Sequence, residues 1–250
     1  MSSFSTNPLP SSFSVPNTTA TETDFLATLQ AASEKNLPPL IREVAIAGEA
    51  GITALMTWLR DRSAQPATDT TPDLAAGAAY QALFAANTPA TITYLQHQFP
   101  TGIVPLRSQA NVIYHDLQLL LAQQEFEAAD RLTLAKLCEL AGETAVQRKW
   151  IYFTEVDQFP VEDLQTIDAL WQVHSEGRFG FSVQRRLWLS VGKNWDKLWP
   201  KIGWKDGINW TRYPQGFTWD LSAPQGHLPL SNQLRGVRMM AALMEHPAWN

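Results

Sequence analysis

The sequence predicts an all-α protein: an N-terminal helical bundle followed by a C-terminal helical domain with long irregular loops. Apolar residues recur at spacings of three and four in one segment after another, which is the period of a helix face. Capping residues, glycines and prolines bracket those segments, so the helices are short. Their connections are mostly short as well, which makes neighbours antiparallel and gives a bundle or a solenoid-like stack. The pattern holds no convincing internal repeat, so no repeat family follows from it.

Residues 1–20 carry no charged side chain and read as a disordered tail. Thr23 or Asp24 can cap a first helix holding Phe25, Leu26, Leu29 and Ala32. Pro38 and Pro39 suit the first turn of a second, with Leu40, Ile41, Val44 and Ala47 on one face. Gly51 separates a third, which carries Ile52, Leu55, Trp58 and Leu59. Ser63 to Pro72 is a polar loop, and Thr71 or Asp73 starts a fourth helix with Leu74, Ala78, Leu83 and Phe84. A fifth runs from about Pro89 to His97, completing an N-terminal bundle over residues 21–99. Pro100 to Asn111 reads as a linker into a second domain, 100–250.

There, Asp116 to Leu121 is a short helix and Glu125 to Leu140 an amphipathic one, with Phe126, Ala129, Leu132 or Thr133, Leu137 and Leu140 on its face and Gly142 at its end. Val161 to Ser175 is the next, closed by Gly177, and Ser182 can cap another that runs through Arg185, Leu187 and Trp188 to Gly192. Residues 203–229 hold too many glycines and prolines for one helix. A loop of that length is either functional or disordered, and Trp210, Tyr213, Phe217 and Trp219 argue against disorder. Ser231 caps a last helix that ends near Glu245, before Pro247.

At 250 residues with 45% hydrophobic side chains, the chain can bury a real core. A pI near 5.5 argues against a general nucleic-acid binder. Cys138 is the single cysteine, which excludes an internal disulfide and a multi-cysteine metal site and suits a reducing compartment. The start lacks the marks of a secretory signal or transit peptide, and no apolar run reaches the roughly 20 residues of a membrane span. Peripheral contact with a membrane stays open.

The aromatic residues are unevenly placed. Nine of the ten tryptophans lie between Trp150 and Trp249. Between Arg178 and Arg238, ten Lys and Arg stand against three acids, Asp196, Asp206 and Asp220. Aromatic faces among cations suit a flat ligand with negative substituents, either nucleic-acid bases on their backbone or a tetrapyrrole with its propionates. Catalytic signatures are absent: there is no phosphate loop, H-E-x-x-H, G-x-S-x-G or cysteine pair. Glu155, Asp157, Glu162 and Asp163 resemble a hard-metal cluster, but two of them sit in a first helical turn, and dipole capping is the preferred reading. Cys138 reads as core filling on an apolar face. Asn232, Arg235 and Arg238, three apart on one helix, form the strongest constellation. Arg212, Tyr213 and Phe217 precede it, and two neighbouring arginines can hold a carboxylate.

The segments QRKWIYFTEVDQFP (147–160), GRFGFSVQRRLW (177–188), LWPKIGW (198–204) and GFTWDLSAPQGHLPL (216–230) strongly resemble the genomes-uncoupled family of tetrapyrrole-binding proteins, in its fourth member's type. KLCELAG (136–142) and NQLRGVR (232–238) look like its cyanobacterial branch. The resemblance covers about residues 100–250, and more loosely the helices before them. It implies a domain shaped like a cupped hand, with protoporphyrin IX and Mg-protoporphyrin IX in an apolar palm and the 203–230 loop as a mobile wall. It implies a porphyrin site of Phe126, Phe153, Trp210, Arg212, Tyr213, Phe217, Asn232, Arg235 and Arg238, with no catalytic or metal residue and no catalytic cofactor. In it, Tyr213 stands where close relatives carry a tryptophan, and Leu134 where relatives often carry an arginine. The expected function is non-enzymatic: a monomer that stimulates magnesium chelatase through its large H subunit in chlorophyll biosynthesis and shields a photoreactive porphyrin. The expected location is cytoplasmic, with peripheral association to thylakoid or other inner membranes, and nucleic acid is not an expected partner. The alternatives are an enzyme of tetrapyrrole metabolism and a single-stranded nucleic-acid module.

Overall fold

A computed structural model describes residues 20–65, 72–230 and 237–250. The tail and the Ser231 cap therefore lie outside the described residues, as does most of the polar loop. The first five helices are α1 (Glu22–Ala31), α2 (Leu37–Ala45), α3 (Glu49–Ser63), α4 (Leu74–Ala86) and α5 (Pro89–Gln98). The cap of α1 is Thr21 rather than Thr23 or Asp24. Its hydroxyl accepts from the Asp24 amide, and the Asp24 carboxylate accepts from the Thr21 amide in a reciprocal capping box. Asp73 caps α4 as expected, accepting from the Ala76 amide at 2.9 Å. Gly51 lies inside α3 instead of before it, and it is needed for the close approach of α2, since a Cβ there would sit 2.0 Å from the Val44 carbonyl oxygen. The turn between α2 and α3 is made by Gly48, at φ +89°.

The second half contains α6 (His115–Ala122), α7 (Phe126–Ala141), α8 (Glu143–Arg148), α9 (Phe153–Val156), α10 (Val161–Val173), α11 (Phe181–Ser190), α12 (Trp195–Lys201) and α13 (Val237–Glu245). Three of these were not anticipated. Helices α8 and α9 are too short to show a periodic face, and α12 carries Pro200 inside it, with Asn194 accepting from the Lys197 amide as its cap. Ser182 does not cap α11. It is the helix's second residue, and its amide donates to the buried Asp168 of α10 at 2.9 Å. A carboxylate from a neighbouring helix thus does the work of a local cap. Within 203–230, a two-stranded antiparallel ribbon forms from β1 (Lys205–Asp206) and β2 (Asn209–Trp210).

Two apolar clusters fill the molecule. The first gathers Phe25, Leu29, Ile41, Leu55, Leu59, Leu83 and their neighbours from α1–α5. The second is aromatic, with Trp171, Phe126, Phe179, Phe181 and Trp204 among its fully buried rings. They meet where α4 packs on α10. Gly77 permits this contact, since a Cβ there would lie 2.4 Å from the Val173 carbonyl oxygen. The Gln81 amide group then donates to the carbonyls of His174, at 2.9 Å, and Leu121, at 3.2 Å.

The linker is nailed down by Asp163. Its carboxylate accepts from the Gln109 amide at 2.9 Å, the Tyr114 hydroxyl at 2.8 Å, the Ala110 amide and the Ser108 hydroxyl. Asp163 sits in the first turn of α10 with Glu162, as the capping reading expects, and being fully buried it also serves the linker. Glu155 instead belongs to α9, where it accepts from the Tyr152 amide and pairs with Arg148.

Candidate functional site

Helix α7 has two working faces. Phe126, Ala129, Thr133 and Leu137 turn into the aromatic core, where Thr133 accepts from the Trp171 indole at 2.9 Å. The rows Asp130–Leu134–Cys138 and Arg131–Ala135–Glu139 face the other way, at the i, i+4 spacing that aligns side chains on one surface. They floor a solvent-open cavity of about 560 Å³, a volume typical of small-molecule sites. Val146 and Lys149, on or just after α8, close one side, and Tyr213 and Leu230 close the other.

The wall carrying Tyr213 and Leu230 is irregular yet anchored. Gln184 donates to the carbonyls of Gly226 and Pro229 at 3.0 and 2.8 Å. Arg178 donates to the Ala223 carbonyl at 2.6 Å. The neutral His227 ring donates from Nδ1 to the Ile202 carbonyl and accepts the Thr218 amide at Nε2, and burial pushes its pKa down. Phe217 is a buried peg between Trp204, Tyr213, Trp219 and His227. Behind it stands a stack of indoles, Trp188–Trp195–Trp199–Trp204, with centroids 5.0, 5.0 and 5.6 Å apart. These bonds and ring contacts anchor the base of the wall, and most of its 205–216 stretch is exposed.

Electrostatics single out Asp130. It is 4% exposed, and its Oδ1 accepts from the Leu230 amide at 2.7 Å. Burial raises its pKa to about 7, with that amide bond opposing the rise. Beside it, Arg131 pairs with Glu127 and lies within hydrogen-bonding reach of the Tyr213 hydroxyl, whose own pKa is raised by burial and then by Asp130.

Of the residues singled out in the sequence, Tyr213 lines this cavity, at 42% exposure. Phe126 lies behind it in the core, stacked on Trp171 and edge-on to Phe179. Trp210 is exposed on the ribbon with Lys205 over its ring, and Arg212 is exposed next to it. Phe153 on α9 and Arg238 on α13 come together, the guanidinium 5.4 Å from the ring centroid. Asn232 and Arg235 lie outside the described residues. Sequence reasoning missed Asp130, Arg131, Ala135, Glu139, Val146, Lys149 and Leu230, and read Cys138 as core filling although it also lines the cavity. The legible signal was Leu134 and Cys138, apolar residues four apart on the face of α7 next to its core stripe.

Fold and site together define an all-helical protein with an open apolar cavity beneath an anchored, aromatic wall. The chain belongs to the GUN4-like family, whose description matches residues 107–247, and residues 15–100 match the ARM-like repeat domain of the GUN4 N terminus. It is similar to a Ycf53-like protein of Synechocystis sp., 54% identical over 228 residues that make up 91% of this chain and 96% of that one. A chloroplastic tetrapyrrole-binding protein of Arabidopsis thaliana is 40% identical over 146 residues, 55% of each chain. The structure of GUN4 from Chlamydomonas reinhardtii superposes with a TM-score of 0.55 at 43% identity, covering 58% of this chain and 93% of its own.

Proposed function

We propose that this protein binds protoporphyrin IX and Mg-protoporphyrin IX in the cavity over α7, and that it is a carrier and activator rather than an enzyme. The observation that carries this reading is the cavity itself. Leu134, Ala135 and Cys138 give its floor an apolar strip, Tyr213 gives it an aromatic wall, and the cations Arg131 and Lys149 line it together with the carboxyls of Asp130 and Glu139. A flat, poorly soluble dicarboxylate gains from both the apolar floor and the cations at its rim. Membership of a family that includes a tetrapyrrole-binding relative supports the same ligand class. Arg235 and Arg238 would hold propionates, and residues 100–250 would form the binding domain, with 21–99 as an accessory helical domain behind the tail.

An open cavity leaves part of a bound macrocycle accessible, which suits delivery. The monomer would present porphyrin to the large H subunit of magnesium chelatase and stimulate metal insertion in chlorophyll biosynthesis. It would work in the cytoplasm, with peripheral contact to thylakoid or other inner membranes. Among the described residues, no helix is long and apolar enough to cross a membrane. The test is a tryptophan-fluorescence titration of the full chain with protoporphyrin IX. Saturable quenching is expected, weakened at least threefold by Tyr213→Ala but little by Tyr213→Phe, since ring area is the contact. Equal affinity for Tyr213→Ala and wild type would remove the cavity from consideration as the site.

A further inference from the structure

Asp130 is an anomaly in the cavity floor. It stands in the same row as Leu134 and Cys138 and lines the cavity, and among the described residues its hydrogen-bond partner is the Leu230 amide. Other ionisable groups surround it from each packed element. On α7, Arg131 favours the charge of Asp130 and Glu127, its ion-pair partner, opposes it, while Glu139 pairs with Lys136. Just past α8 comes Lys149, and from the wall comes the Tyr213 hydroxyl. Among the described residues, none forms an ion pair with Asp130. Among the described residues, its charge is favoured by that amide and by Arg131.

A ligand completes the burial of Asp130. An apolar macrocycle seated on the floor covers the part of the carboxyl that lines the cavity, and acidic substituents on the ligand add repulsion. Both effects disfavour the charged form, and the protonated form keeps the Leu230 amide bond through its carbonyl oxygen. We propose that Asp130 is a proton-coupled specificity residue of this cavity, taking up one proton when a flat apolar dicarboxylate binds and thereby setting the ligand charge that the floor tolerates. This deepens the porphyrin reading and rests on it. The buried carboxyl is already poised for the step, with a pKa near 7 in the empty protein.

The experiment is calorimetric titration of the full chain with protoporphyrin IX between pH 6.5 and 8.5, in pairs of buffers that differ in ionisation enthalpy. Wild type should take up close to one proton per ligand near pH 7.5–8, and its affinity should fall about tenfold across the range. Asp130→Asn, which keeps an acceptor for Leu230, should bind at pH 6.5 much as wild type does, bind about tenfold more tightly than wild type at pH 8.5, and lose the proton uptake. Tight but pH-independent binding by wild type, or the same pH slope and uptake in Asp130→Asn, would overturn the proposal while leaving the porphyrin site standing. Absence of binding at every pH would overturn both.

Discussion

Between Glu22 and Gln98 the core is made of Leu, Ile, Ala and a few rings, and regular helices satisfy most backbone groups. From Val104 onward the core adds Trp, Phe and Met to Leu, Ile, Val and Ala, and long stretches of chain have no ladder of their own. The second region also buries many more polar side chains: Gln118, Asp130, Asp163, Asp168, Gln184 and His227 among them. Most of these hold irregular backbone. Gln118 holds Val104, Asp163 holds Gln109 and Ala110, Gln184 holds Gly226 and Pro229, and Asp130 holds Leu230. A buried amide or carbonyl needs a partner, so a chain that leaves helix geometry must recruit side chains to supply it. The gain is an irregular wall that can be shaped around a cavity, which a bundle of straight helices does not offer.

The comparison breaks first at Asp163. Asp163→Ala should leave two linker amides and two hydroxyls without their acceptor and cost about 3–5 kcal/mol, read as a lower midpoint in urea. A cost near 1 kcal/mol would mean that water replaces the carboxylate and that the linker needs no buried anchor.

The junction comes next. Alanine at position 77 gains roughly 1 kcal/mol of helix propensity, yet its Cβ would meet the Val173 carbonyl. The collision should win, so that Gly77→Ala costs about 1–3 kcal/mol net in thermal or urea unfolding. If Gly77→Ala is stabilising, α4 and α10 are free to separate.

The smallest effect belongs to the regular half. Asp73→Ala removes the cap of α4 and one partner of Arg62, whose second partner, Glu34, remains. The loss should be about 1 kcal/mol, mostly from the cap. If it matched the loss from Asp163→Ala, the two regions would not differ in how they depend on buried carboxylates.

What the sequence revealed follows the same division. The faces of α2, α4 and α7 were readable because Ile41 and Val44, Leu74 and Ala78, and Phe126, Ala129 and Leu137 repeat with helical spacing. The irregular character of 203–230 was readable from its glycines and prolines. The partners of that segment were not, since Gln184 and Leu230's acceptor Asp130 are tens of residues away and nothing in local spacing marks a side chain as a distant backbone acceptor or donor. Position also outran role in Ser182: a serine near a helix start suggests a local cap, but Asp168 had already filled that function from the next helix. The cavity floor was half legible. Leu134 and Cys138 showed a second apolar face on α7, while the charged Asp130 in the same row hid it.

The Gln81 amide bridges Leu121 and His174 with both of its protons, and Gly77 sits flush beside it. Sliding α4 by one residue would orphan two carbonyls and drive a backbone oxygen into a helix at once. Such a joint behaves as a weld rather than a hinge, and it denies the two halves the shear motion common where helices pack through side chains alone.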